Sequence, residues 1–494
     1  MGDVRARRTG DQEDPPARSA RRRRALTVLA SCLTTIVVMT GYLVAGARGL
    51  VPGVLAVRGT SAASSSSHSY VPGVRAVSDA VPQADLSKSI DKNALRSAVK
   101  AFESTSKLGD DYSVAVATAD GTIVESRDPD SPRQPASTLK TLTAFAAASR
   151  LDMGSTLDTQ VYLEHADDST PTIILKGNGD MLLSSGDDDP DHVNGRAGLG
   201  SLATRTARVL RGKGISRVRL VVDDSLFGSV RSPTNIEQNN EDGLYYTPVS
   251  SMAVDGGRRW SSGQTPSDPD VFEDYPPLST HTASDATTVF IRRLVERGIT
   301  VEGTASSGQV HDGLRPVASV HSATLTEIMA FMLRHSDNTL AEEFGRLLAL
   351  HVGEENSPTG AVTAVRDVLR ASKISMTGLT MADCSGLSPG SLVSVRTLAA
   401  VQSRNLGRHG VSAAAEGLSV SGLVGTAAER FSDSAANGLL RVKTGSLSDV
   451  TAMVGTVSRK SGGVLAFAVI VNDPQDYDAA VAAIGSFGSA LTGV

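Results

Sequence analysis

Residues 439–491 read LLRVKTGSLSDVTAMVGTVSRKSGGVLAFAVIVNDPQDYDAAVAAIGSFGSAL. Three apolar runs stand out: Leu439–Thr444, Val450–Val457 and Val464–Val471. Val and other β-formers, bounded by Gly, Ser and Asp, make each run a strand. The segments between them, 446–449 and Arg459–Gly463, are short enough to be hairpin turns. Strands joined by hairpins are antiparallel. Asp476–Leu491 then reads as a helix. Strand, strand, strand, helix implies an antiparallel sheet with helices packed on it, an α/β (α+β) sandwich.

Working back toward the N-terminus, Asp91–Lys107 has Leu95, Val99 and Phe102 at helical spacing. Tyr112–Thr118 alternates as a strand, Ala119-Asp120-Gly121-Thr122 supplies a turn, and Thr122–Ser126 is the return strand. Ser137–Leu151 reads as a helix with Leu139, Leu142, Phe145 and Ala146 on one side. Thr324 and Glu327 form a capping box that starts another helical stretch. Between these lies a stretch, 156–317, with short strands at Thr172–Leu175 and Val218–Val222 among turn-rich acidic loops. It reads as a large strand-rich insertion. The acidic run Asp187–Asp191 lacks the Gly and Glu spacing of a calcium loop and reads as solvated.

The N-terminus has its own logic. Residues 1–24 carry eight Arg and four acids, whereas the whole chain has a net charge of −5. That balance argues against a nucleic-acid partner. Arg21–Arg24 precede 23 residues without a charge, Ala25–Ala47, long enough as a helix to cross a bilayer core of about 30 Å. Basic residues before the span keep that end in the cytoplasm, which puts the rest outside. A cleaved signal ending at Ala45-Gly46-Ala47 is the alternative, giving a secreted product. Residues 48–90 hold two Val-Pro-Gly-Val copies and Ser64–Ser67, the composition of a flexible spacer. The expected organisation is a basic tail (1–24), an anchor (25–47), a linker (48–90), a main domain (91–155 and 318–494) and an inserted domain (156–317). With two Cys, Cys32 and Cys384, there is no disulfide framework.

Three short motifs carry chemistry. Ser137-Thr138-Leu139-Lys140 places a hydroxyl and an amine on one helix face. A Ser becomes nucleophilic when a base takes its proton, and Lys serves if burial or a nearby cation lowers its pKa. Ser336-Asp337-Asn338 lies between two helical runs, where Ser336 and Asn338 both face one cleft if the turn is extended. Lys443-Thr444-Gly445-Ser446 ends a strand, with a cation and two hydroxyls to hold a carboxylate. Gly445 admits close approach of another backbone. Each motif alone is weak; their order, each on the element it needs, is specific.

The set resembles the penicilloyl serine transferases, that is penicillin-binding proteins and serine β-lactamases. Ser137 and Ser336 are 199 residues apart, too far for a compact β-lactamase. The large insertion resembles the D-alanyl-D-alanine carboxypeptidase/endopeptidase group, the type-4 class C penicillin-binding proteins of peptidase family S13. Leu175–Asp180, Val222–Phe227, Tyr246–Ser251 and Asp383–Ser388 are similar to further segments of that family. The resemblance covers about residues 90–494. Met181 and Cys384 depart from it, outside the triplets.

The resemblance implies a β-lactamase/transpeptidase-like sandwich and a serine D-Ala-D-Ala carboxypeptidase. Its substrate is the peptidoglycan stem peptide, and β-lactams are its inhibitors. Ser137 is then the nucleophile and Lys140 its base. Ser336 relays a proton, Asn338 orients Lys140 and the substrate amide, and backbone N–H groups of Ser137 and Ser446 form the oxyanion hole. Lys443, kept charged, binds the terminal carboxylate with Thr444 and Ser446; Asp337 and Gly445 complete the site. No cofactor or metal is implied. Endopeptidase cleavage would use the same nucleophile. The alternative from another class is a membrane-anchored β-lactam-sensing or cell-wall-binding module without turnover, against which the intact triplets argue.

Overall fold

The computed structural model describes residues 88–494, apart from 165–169, 273, 407–410 and 432. The basic tail, the expected anchor at 25–47 and most of the spacer lie outside the described residues. Among the described residues no helix is long and apolar enough to cross a membrane.

The first sheet has six strands in the spatial order Ser419–Val420, Leu440–Leu447, Val450–Ser458, Val464–Asn472, Tyr112–Thr118, Ile123–Arg127. Every neighbouring pair is antiparallel. The two faces of this sheet differ in side-chain size. One face offers Ala115, Ala117, Ala452 and Ala468 beside Val454 and Ile470. Small side chains let helices come close, and helix Lys140–Ala148 packs there with helices Pro358–Ala371 and Val395–Leu406. The opposite face carries Val114, Val116, Met453, Phe467 and Val469, covered by helices Lys92–Glu103 and Tyr477–Leu491. Period-two alternation along each strand sends consecutive residues into these two cores. The strand expected to stop at Thr444 runs on to Leu447, because Ser446 and Leu447 pair with Thr451 and Val450. This leaves Ser448-Asp449 as a two-residue turn.

A second sheet takes the order Pro316–Thr324, Thr156–Glu164, Thr172–Gly177, Arg217–Asp223, Thr300–Val301. Its first three strands are antiparallel and the remaining pairs parallel. Parallel pairing requires crossovers, and two helices enter this layer, Leu199–Gly212 and Thr282–Glu296. The stretch carries the expected strands, and these two helices add to them. Their buried stripes mix Ala and Thr with Leu and Phe. The acidic run is tied in by Asp188, which accepts from Arg205 and from the Gly198 amide. Strand Pro316–Thr324 feeds directly into helix Leu325–His335 through the Thr324–Glu327 capping box. The chain thus returns to the first layer through Thr324. A third apolar cluster joins the two layers, with Ala144 and Ala147 against Leu157, Met181, Phe227 and Met329.

Candidate active site

Residues Ala136–Leu139 form a 3₁₀ turn, and the α-helix begins only at Lys140. Side chains at i and i+3 eclipse in a 3₁₀ turn. This corrects the expectation of one continuous helix, and it brings the pair together more directly. Lys140 Nζ donates to Ser137 Oγ at 2.9 Å. Ala136, just before the Ser, has φ +49°, a left-handed conformation that costs a non-glycine residue energy. Two glycines allow other backbones to close on this turn. A Cβ on Gly386 would lie 2.0 Å from the Ala136 carbonyl, and one on Gly445 would lie 2.8 Å from the Pro135 carbonyl.

Lys140 is fully buried. Besides Ser137, its ammonium reaches Asn338 Oδ1 at 2.6 Å and the Ser385 carbonyl at 2.9 Å. Burial lowers its pKa to about 8, against the opposing pull of Asp383, Asp337 and Glu342. The Ser385 carbonyl is held by a loop wound around Asp383. That carboxylate accepts from the amides of Ser385, Gly386, Leu387 and Ser388.

Ser336 ends helix Leu325–His335 in a left-handed conformation, φ +58°. Asp337 caps the next helix by accepting from the Leu340 amide at 2.9 Å, and Asn338 is its first residue. Ser336 and Asn338 then face different lysines. Asn338 accepts from Lys140, while its Nδ2 donates to the Tyr245 carbonyl at 2.8 Å. Ser336 Oγ accepts from Lys443 Nζ at 2.9 Å. Asp337 pairs with Arg258 at 2.9 Å instead of facing the nucleophile.

Lys443 is also fully buried, and its remaining bond is to the Thr444 carbonyl at 2.8 Å. Burial, Lys140 and Arg430 push its ammonium well below the usual lysine range. Two cations face it, and its bonds go to neutral oxygens. Thr444 donates to Thr426 Oγ1 at 2.8 Å. Ser446 is exposed at the strand end.

All these groups surround a cleft of about 720 Å³, lined among others by Ser137, Ser336, Asn338, Thr444, Ser446 and Arg430. Several neighbours escaped the sequence reading: Tyr245, Arg258, Thr426, Arg430 and Glu342. The Tyr246–Ser251 and Asp383–Ser388 segments flagged two of these regions by resemblance. Arg258, Thr426 and Arg430 carried no local signal.

Residues 95–271 and 277–490 match the D-Ala-D-Ala carboxypeptidase 3 (S13) family. The chain belongs to that family. It is 32% identical over 349 residues to carboxypeptidase DacB of Mycolicibacterium smegmatis, covering 69% of this chain and 72% of that protein. It is 28% identical over 435 residues to a D-alanyl-D-alanine carboxypeptidase of an Actinomadura species, covering 73% and 77%. The crystal structure of penicillin binding protein 4 from Haemophilus influenzae shares the fold, with TM-score 0.63 and 20% identity over 81% of this chain and 98% of that one. As an S13 member, the chain pairs its hydroxyl-bearing motifs with lysines in a single cleft.

Proposed function

We propose that this S13 protein is a serine D-Ala-D-Ala carboxypeptidase that acts on peptidoglycan stem peptides and is acylated by β-lactams. The observation that carries this reading is the 2.9 Å bond between Lys140 Nζ and Ser137 Oγ. A lysine titrating near 8 has an appreciable neutral fraction at physiological pH, unlike a free lysine near 10.4. Neutral Lys140 takes the proton of Ser137 as Oγ attacks the carbonyl between two D-alanines. Amides of Ser137 and Ser446 hold the developing oxyanion. The C–N bond breaks, Ser336 delivers a proton to the leaving amine, and D-Ala departs. Water then hydrolyses the acyl-serine ester and restores the Ser137 hydroxyl.

Substrate arrival readies the base. A terminal carboxylate beside Lys443, Thr444 and Ser446 supplies the anion that Lys443 otherwise lacks and favours its charged form. A charge on Lys443 disfavours a proton on Lys140 beside it. Protonated Lys443, 2.9 Å from Ser336 Oγ, is also placed to replenish the proton that Ser336 gives away.

The basic run Arg21–Arg24 before the uncharged Ala25–Ala47 supports a single-pass anchor with the enzyme on the outer side of the cell membrane. Protease added to wall-opened cells should remove the enzyme domain and spare the N-terminal tail; a protected domain refutes this topology.

The decisive test of the chemistry is intact-mass spectrometry after benzylpenicillin. One adduct, mapped to the peptide holding Ser137, is expected, with none for Ser137→Ala. D-Ala release from a stem pentapeptide should vanish in the same variant. An adduct elsewhere overturns the assignment of Ser137. Acylation without any D-Ala release favours the sensing module.

A further inference from the structure

Helix Asn338–Val352 carries Asn338, Glu342 and Arg346 four residues apart, so the three share one face. All are buried, with Glu342 and Arg346 each 1% exposed. At the top, Asn338 Oδ1 accepts from Lys140. At the bottom, the Arg346 guanidinium is engaged by the carbonyls of Phe227, Val230 and Asn356. Glu342 lies between them. Its Oε1 accepts from the Cys384 amide at 2.9 Å. Cys384 precedes Ser385, whose carbonyl accepts from Lys140 Nζ at 2.9 Å. The other oxygen of Glu342, Oε2, is buried without a hydrogen bond of good geometry, although the Ser385 side chain pulls the carboxyl pKa down from nearby. Leaving such an atom unpaired costs about 1–3 kcal/mol. An apolar residue would avoid that cost.

We propose that Glu342 is a positioning residue of the acylation step, acting on Ser137 only through Lys140. The proposal rests on the reading of Lys140 as the base. Glu342 acts in two ways. It fixes the Ser385 carbonyl from below, and with it one of the oxygens that orient the Lys140 amine. It is also an acid near the group that takes the Ser137 proton during acylation.

The charged and titratable groups around this pair come from several elements. Lys140 faces Asp337, Asp383, Glu342 and the second lysine, Lys443. Glu342 faces Asp383 and Lys140, and it is felt in turn by Cys384, Tyr246 and Arg346. Burial and Asp383 push the Glu342 carboxyl well above its ordinary range. Glu342 and Lys140 each shift the other by charge, so the two titrations are linked: a proton on Lys140 favours an ionised Glu342, and an ionised Glu342 favours a proton on Lys140. Replacing Glu342 by a neutral residue makes Lys140 release its proton at lower pH.

The test is the pH profile of the second-order rate of acylation by benzylpenicillin, measured on the full chain. Glu342→Gln keeps an oxygen for the Cys384 amide and removes the charge. Its acid limb should move down by about half a pH unit, making acylation on that limb about threefold faster. Glu342→Leu removes both charge and clamp. It should show the same displacement with a lower plateau, and an apolar residue of similar volume at a buried charged site is compatible with folding. Melting curves are read in parallel, and if the Gln variant is unfolded the Leu profile decides. A limb that stays in place, or moves up, overturns the proposal. Ser137→Ala separates the two levels. If it still acylates, the reading of the site has failed; if it is silent while the limb of the Glu342 variants stays in place, only the role of Glu342 has failed.

Discussion

The two buried lysines of the cleft have the same side chain and opposite surroundings. Lys140 has Asp383, Asp337 and Glu342 around it, and its pKa falls only to about 8. Lys443 has Lys140 and Arg430 as its charged neighbours, and its ammonium is pushed well below the usual range. Lys140 donates to a side-chain amide, a carbonyl and the Ser137 hydroxyl, whereas Lys443 donates to a carbonyl and the Ser336 hydroxyl. The difference teaches that burial alone does not assign roles to lysines. Burial makes both amines reluctant to hold charge, and acids oppose that effect only at Lys140. On this basis acylation should rise with pH toward a plateau above about 8, as Lys140 loses its proton.

The comparison breaks most directly at Lys140. Lys140→Arg cannot release a proton at accessible pH. Acylation by benzylpenicillin should fall by ~10²–10⁴-fold, the usual worth of a general base. A rate near wild type would remove Lys140 from the role of base.

Lys443→Arg tests the other half. It sets a permanent charge where burial and two neighbouring cations disfavour one on the native amine. Loss of the native fit at the carboxylate should slow acylation by about tenfold for a peptide ending in a free carboxylate. The loss should be smaller for the amidated peptide. Its fixed charge should also move the acid limb to lower pH, since a neighbouring cation disfavours protonated Lys140. Equal losses on both peptides, with an unmoved limb, would mean that Lys443 does not read the carboxylate.

Gly445→Ala addresses the contact between the two halves. Its added Cβ would sit 2.8 Å from the Pro135 carbonyl beside the nucleophile turn. Either strand or turn must shift, at about 1–3 kcal/mol. We expect a lower melting temperature together with slower acylation. A variant with unchanged melting and acylation would show that the two halves tolerate separation.

The smallest effect belongs to a site remote from both lysines. Thr324→Ala removes the oxygen that caps helix Leu325–His335, bonded to the Glu327 amide at 3.4 Å. Chemical denaturation should report a loss of ~1 kcal/mol. The acylation profile should keep its shape, so a displaced limb here would make limb shifts at Glu342 and Lys443 uninformative.

Much of this protein is legible in local sequence. The strands at 440–472 follow from apolar runs of β-formers and those at 112–127 from alternation, both bounded by turn residues, signals that act over a few positions. The Thr324–Glu327 box is a contact between residues three apart. The three triplets could be read because each joins near neighbours: Ser137 with Lys140, the Ser336–Asn338 turn, and Lys443 with the strand end.

What tertiary structure decided lies at longer range. Helices Leu199–Gly212 and Thr282–Glu296 were not expected although each carries an apolar stripe, Leu199, Leu202, Ala203 and Leu210 in one and Ala286, Phe290 and Leu294 in the other. Glu342 and Arg346, four apart on a helix, have the spacing of a solvent-exposed ion pair. Packing buries both and ties them to other segments. Arg258 reaches Asp337 across 79 residues of chain. The sequence by itself determined which residues have the chemistry and which local element each occupies, because propensity and spacing are short-range. Only the fold decided how each lysine's pKa is shifted, because that depends on burial and on the charges that distant segments bring within a few ångströms.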